Sequence, residues 1–163
     1  MKKIARIVSG GQSGVDRAAL DVALKLNIKI TGWVPKDGWA EDFTVSPGLL
    51  EKYPEMKDSN DDDVAYRTRL NVRDSHATLI IIPEKYDDSK GTNLTVNTAQ
   101  RYKRSYYISD LNDQDKVLKW IDSLPNELIL NIAGPRESEM PGIYDETYKF
   151  LLEILTEIKS KHN

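Results

Sequence analysis

"VSGGQSGVDRAAL", Val8 to Leu20, decides how the rest of this chain is read. A β-branched run, Ile4 to Val8, stops at Ser9-Gly10-Gly11-Gln12-Ser13-Gly14, and a helical pattern opens at about Val15. Val15, Ala19, Val22, Ala23 and Leu26 then recur on one face. A strand that turns through glycines straight into a helix presents backbone N–H groups and a helix N-terminus beyond the strand's end. Such a corner favours an anion by about 0.3 to 1 kcal/mol, and by up to about 2 kcal/mol when partly buried. Phosphate is the expected occupant; the plain alternative is a tight turn that serves only the fold, with Ser13 as N-cap. Gly14 is followed by Val15-Asp16 rather than Lys-Ser/Thr, which argues against a Walker loop, and the glycine spacing is not a strict G-x-G-x-x-G.

Working outward, four further short apolar runs read as strands: "IKITGWV" (28–34), "ATLIII" (77–82), "SYYIS" (105–109) and "LILNIA" (128–133). Helix-length segments lie between and after them. Val117, Trp120, Ile121 and Leu124 share one face, and Tyr148, Leu151, Leu152, Leu155 and Ile158 another. Strands alternating with helices imply right-handed crossovers. The expected architecture is a Rossmann-like three-layer α/β sandwich, a mostly parallel sheet of about five strands with helices on both faces. "ATLIII" suits a strand buried on both sides. In such sheets ligands bind beyond the carboxyl ends of the strands, so the loops that follow strands are the ones to inspect.

The chain's 163 residues predict a single domain over 1–163. With 23 Lys and Arg against 26 Asp and Glu, the net charge of -3 offers no global basic field for nucleic acid. Cysteine is absent, which removes disulfides, thiolate metal ligands and cysteine nucleophiles together. No stretch approaches the ~20 apolar residues of a membrane span. The run after Met1-Lys2-Lys3 is too short for a signal peptide, so a cytoplasmic location is expected.

Three other stretches carry chemistry. In "PEKYDDSKGTNLTVNTAQRYK" (83–103), Gly91 and Thr92 lead into a helix on which Thr92 and Thr95 lie one turn apart. They face the crevice if the 77–82 strand neighbours the 4–8 strand; otherwise they merely cap a helix. In "AGPRES" (133–138), Arg136 offers a planar fork to phosphate or carboxylate, or else pairs at the surface with Glu137 or Glu139. In "RTRLNVRDSH" (67–76), Arg67, Asn71 and Asp74 fall on one helical face, suited to binding or acid/base work but equally to solvent.

The carboxylate candidates for catalysis are Glu41, Asp42 and Asp74. Asp58, Asp61, Asp62 and Asp63 read as helix-start acids rather than a magnesium site, and no metal site is expected. His76 reads as structural. The long connection from Pro35 to Asn60 contains Trp39, Phe43, Leu49, Leu50 and Tyr53, which argue for a packed excursion.

Taken in order, "SGGQSGVDRAALDVAL", "GWVPK" with "AED", "RTRLNVRDSHATLII", "KGTNLT" and "LNIAGPRES" with "PGI" resemble the family named putative molybdenum carriers. That family is molybdenum cofactor carrier-like and lies within the SLOG, or lysine-decarboxylase-like, Rossmann group, which includes the phosphoribohydrolases that release cytokinin bases. The resemblance covers nearly the whole chain. It implies an oligomeric Rossmann-like domain binding a phosphorylated ligand. The binding positions it implies are Gly10, Gly11, Gln12, Ser13, Gly14, Asp16, Arg67, Asn71, Asp74, Gly91, Thr92, Thr95 and Arg136. Relatives tend to carry Pro-Lys-Gly-Arg and Ala-Glu-Asp-Gly, where this chain has Asp37-Gly38-Trp39 after Pro35-Lys36 and Phe43 after Ala40-Glu41-Asp42. His76 stands where many have Asp, and a paired glycine is reduced to Lys90-Gly91.

The leading expectation is a non-catalytic binding protein for a phosphorylated heterocycle, either molybdenum cofactor or a nucleotide such as AMP. Two others stand beside it: a hydrolase cleaving the N-glycosidic bond of nucleoside 5'-monophosphates, and a nucleotide-sensing interaction module. The resembling hydrolases use Gly-Thr-x-x-Glu, and this chain reads Gly91-Thr92-Asn93-Leu94-Thr95, so a hydrolase would have to find its carboxylate elsewhere. The expected partners are a small ligand and further copies of the chain, with neither nucleic acid nor membrane.

Overall fold

A computed structural model describes residues 3–84 and 89–162. In chain order the elements are β1 (Ile4–Val8), α1 (Val15–Lys25), β2 (Lys29–Thr31), β3 (Trp33–Val34), α2 (Leu49–Lys52), β4 (Lys57–Asp58) and α3 (Val64–Arg73). There follow β5 (Ala77–Ile81), α4 (Ser89–Arg101), β6 (Ser105–Ser109), α5 (Gln114–Asp122), β7 (Leu128–Ala133) and α6 (Ile143–His162). Five of the strands form one parallel sheet in the order β2-β1-β7-β5-β6. The fold is the Rossmann-like α/β sandwich the alternation predicts.

The 77–82 strand does not lie beside β1, the condition set for Thr92 and Thr95 to face the crevice, yet both line it. The last strand, β7, sits between them, pairing with β1 on one side and β5 on the other. Nothing local to the 77–82 run could specify this, because order is set by which crossover helices pack together. α6, which follows β7, lies against α1, the helix that follows β1. β1 and β5 each send their chain outward, to β2 and β6, so the direction of winding reverses across β7. The crevice of a doubly wound sheet belongs at that reversal.

All five residues of β5 are buried, as a strand covered on both faces requires, and Leu79 and Ile81 join Ile7, Leu130 and Ile132 in the core. The run 28–34 is broken at Gly32: a Cβ there would meet the Ser9 carbonyl oxygen at 2.0 Å, so only glycine lets β1 pass so close. β3 then leaves the main sheet and pairs in parallel with β4. The 35–60 excursion is packed: Leu49 and Tyr53 are fully buried, Phe43 and Leu50 lean on the same core, and Trp39 is exposed. Tyr53 and Tyr144 both donate to the Asp21 carboxylate, which ties the excursion, α1 and α6 together. His76 is structural, its Nδ1 accepting from the Ile129 N–H on β7. Asp63 caps α3 by accepting from the Ala65 N–H, as a helix-start acid should.

Candidate functional site

The glycine corner is filled from three sides by the protein itself. A Cβ on Gly14, at φ +80°, would meet the Pro135 oxygen at 2.4 Å, so this glycine lets the chain after β7 cross the start of α1. The Val15 N–H donates to that same oxygen. A Cβ on Gly11, at φ +73°, would press on Leu49 and Val34. On Gly10 it would collide with the guanidinium of Arg67, 1.7 Å from Nη1. Gly14 rather than Ser13 is the N-cap of α1. Ser13 instead donates through its hydroxyl to Glu41 and accepts from the Glu137 N–H.

Beyond the ends of β1, β7 and β5 the chain leaves a crevice of about 480 Å³, within the range usual for small-molecule sites. Gln12 and Asp16 enter it from the glycine corner and α1, Arg67 from α3, Gly91, Thr92 and Thr95 from α4, and Arg136 from the loop after β7. The four sequence stretches therefore converge on one place. A second concavity, of about 550 Å³, lies at the opposite, amino ends of β1 and β2. Among the described residues three buried side-chain atoms lack a hydrogen-bond partner: Gln12 Oε1, Arg67 Nε and Thr147 Oγ1. Two of these residues line the carboxyl-edge crevice and none lines the other concavity.

The electrostatics centre on Arg67 and Asp16. Both are buried, and they meet only through Nη1 and Oδ2 at 3.5 Å. Burial pushes the Asp16 carboxyl above its ordinary value even with Arg67 beside it, and pushes Arg67 below its own. An arginine stays charged in proteins, so this is a desolvated cation with one long ionic contact and an idle Nε. It is under-compensated, and an anion entering the crevice would complete it.

Other expected positions have work elsewhere. Asn71 clamps β3, accepting from the Trp33 N–H at 2.7 Å and donating to the Trp33 carbonyl at 3.0 Å. Asp74 accepts from the Trp33 indole and pairs with Arg73. Both share a helical face with Arg67, but Asp74 lies seven positions on, roughly 10 Å along the axis, which carries it away from the crevice. Asp42 holds Arg17 in a two-pronged pair at 2.7 and 2.9 Å, which keeps its carboxyl below the ordinary range. Arg17 also donates to the Gly11 carbonyl and stacks over Phe43, so Asp42 braces the glycine corner.

Glu41, its neighbour, turns the other way. It accepts from the Ser13 and Ser138 hydroxyls and the Ser138 N–H, with Arg136 at 3.9 Å. The two hydroxyls hold its carboxyl below the ordinary range. Arg136 also pairs with Glu139 at 3.2 Å, the surface pairing its sequence context allowed. Thr95 donates its hydroxyl back to the Gly91 carbonyl.

Sequence reading did not single out Val64, Thr68, Ile80 and Ile82, which line the crevice together with Leu94, Ala133, Gly134 and Glu139. Thr68 follows Arg67 directly and Ile82 ends the 77–82 run, so the positions of both were signalled but not their roles. Among the described residues no group of three or more His, Asp or Glu is placed to hold a metal ion, and no helix is long and apolar enough to cross a membrane.

A model of the circularly permutated YpsA SLOG family matches residues 7–155. A crystal structure titled "Putative molybdenum carrier protein", from Syntrophus aciditrophicus, superposes with a TM-score of 0.78 at 36% sequence identity. The match covers 93% of this chain and 95% of that one. No curated protein matches.

Proposed function

Because this chain belongs to the circularly permutated YpsA SLOG family, we propose that its crevice binds a small phosphorylated heterocycle, a nucleotide or the molybdenum cofactor, and holds it without turnover. The observation that carries the reading is Arg67, a residue of the crevice lining whose buried guanidinium is received by the space at Gly10 and left with an idle Nε. A phosphate brought to it supplies the missing charge and acceptors. Gln12, with a buried unpartnered carbonyl oxygen, offers an acceptor to a heterocycle's N–H groups.

The residues fit the phosphate and ring end of molybdenum cofactor, whose own dithiolene sulfurs hold the metal; this chain has no cysteine to do so. The solved relative's title names a molybdenum carrier, which favours that ligand within the class.

The three carboxylates read from the sequence as catalytic candidates also favour a carrier, and the raised Asp16 carboxyl in the crevice is engaged by Arg67 and the Gln12 N–H. Asp42 is committed to Arg17, Asp74 lies against Trp33, and Glu41 is held ionised by serines. None is poised as a general acid near neutral pH. Native mass spectrometry after incubation with AMP, and separately with molybdenum cofactor, tests the proposal. An intact adduct without released base is expected. Free adenine with ribose phosphate would replace the carrier with a hydrolase.

A further inference from the structure

The sheet's outer edge at β6 carries within its span no charge, proline or bulge that would keep an edge strand from pairing. β6 is last in the strand order and is hydrogen-bonded only to β5, in unbroken register over Ser105–Ser109. Its sequence is Ser-Tyr-Tyr-Ile-Ser. Ile108 is 44% exposed. The Ser109 carbonyl accepts from the Ile82 N–H, so the main-chain groups of Ser105, Tyr107 and Ser109 turn toward β5. By strand alternation those of Tyr106 and Ile108 turn outward, in search of partners.

We propose that this edge pairs with β6 of a second copy of the chain, antiparallel and about a two-fold axis at Tyr107, merging the two sheets into one. An antiparallel ladder requires outward-facing residues to lie opposite one another, and two-fold axes at residues 106, 107 or 108 all satisfy that. The flanking charges choose among them. An axis at 106 sets Arg104 against Ile108, and one at 108 sets Tyr106 against Asp110. Only the axis at 107 sets Tyr106 opposite Ile108, an aromatic against a β-branched residue, and Arg104 opposite Asp110. By symmetry each contact occurs twice. Among the described residues neither Arg104 nor Asp110 is in an ion pair: Arg104 donates to the Arg73 carbonyl, and Asp110 accepts from the Asn112 N–H. The edge is self-complementary in hydrogen bonding, shape and charge, which is what an isologous interface needs.

Sedimentation velocity of the full chain tests this, with circular dichroism confirming that each variant is folded. The wild type is expected to be a dimer. Ile108→Pro removes an outward N–H without touching the ladder to β5, and is expected to yield monomer. Arg104→Asp and Asp110→Arg, each reversing two attractions, should raise the dimer dissociation constant about tenfold or more. The doubly reversed variant should recover the dimer. Amide exchange at Tyr106 and Ile108 should be slow in the wild type and fast in Ile108→Pro. A wild type that stays monomeric at its highest soluble concentration overturns the proposal, as does a dimer indifferent to Ile108→Pro and to both charge reversals.

Discussion

Arg67 occupies the space that a side chain at Gly10 would take, with Nη1 at 1.7 Å from the position of the missing Cβ. α3 thus delivers a buried cation onto the glycine corner of β1 and α1. The first two glycines, which by sequence read as a phosphate cradle, make room for protein side chains, and the cation one of them admits is what would meet the phosphate.

Gly10 and Gly14 are therefore expected to fail differently when replaced by alanine. At Gly10 the obstacle is the far end of a long side chain, so Gly10→Ala should cost about 1 to 2 kcal/mol of stability while abolishing ligand binding. At Gly14 the obstacle is backbone at 2.4 Å and φ is positive, so Gly14→Ala should cost about 3 kcal/mol or more. Urea denaturation of both variants, alongside ligand titration of Gly10→Ala, checks the contrast.

Removing one member of the buried pair should hurt more than removing both. Arg67→Met strands the Asp16 carboxylate and is expected to cost about 3 kcal/mol. Adding Asp16→Asn should recover a large part of that, because the remaining group no longer needs a counter-charge. Stability measured across this double-mutant cycle gives the coupling. Both variants should bind ligand about tenfold more weakly or worse.

Asn71 supplies the opposite case. It clamps both main-chain groups of Trp33 from outside the crevice, so Asn71→Ala should destabilise by about 1 to 3 kcal/mol and leave ligand affinity unchanged. Denaturation and titration of the same preparation separate the two effects.

How far the sequence could be read depends on whether the signal is local. The runs 4–8, 77–82, 105–109 and 128–133, the start of α1 at Val15 and the helix-start acids before α3 follow from periodicity and turn chemistry within a few residues and are where they read, whereas 28–34 reads as one strand and is divided at Gly32 between two sheets. The place of β7 between β1 and β5 was not legible, because it rests on α6 packing against α1 across more than a hundred residues of chain. The stripe of Arg67, Asn71 and Asp74 shows the same limit. Helical spacing puts them on one face, but not on one neighbour: the first meets the crevice and the others meet β3. Glu41 and Asp42 were legible as a pair of carboxylates, while their opposite directions depend on Arg17 and Ser13, which are distant in sequence.

Stability should fall in alkali through Tyr53 and Tyr144. Burial first, and then the hydrogen bond to Asp21, raises both phenols well above the ordinary 10.0. Above about pH 10 the unfolded chain releases protons that the folded chain retains, so stability decreases as pH rises. Below about pH 10 the contribution is fully present. Denaturation midpoints between pH 8 and about pH 11 should drop, and the slope should flatten in a Tyr53→Phe, Tyr144→Phe variant.

Isothermal titration of AMP, and anaerobically of molybdenum cofactor, into the wild type and into folded Arg67→Met tests the central claim most directly. At least one ligand should bind the wild type, and the variant should bind it about tenfold more weakly or worse, as loss of a charge-assisted contact implies. Equal affinity in the two proteins, or no binding of either ligand to the wild type, would contradict the assignment of the crevice as an anion site completed by Arg67.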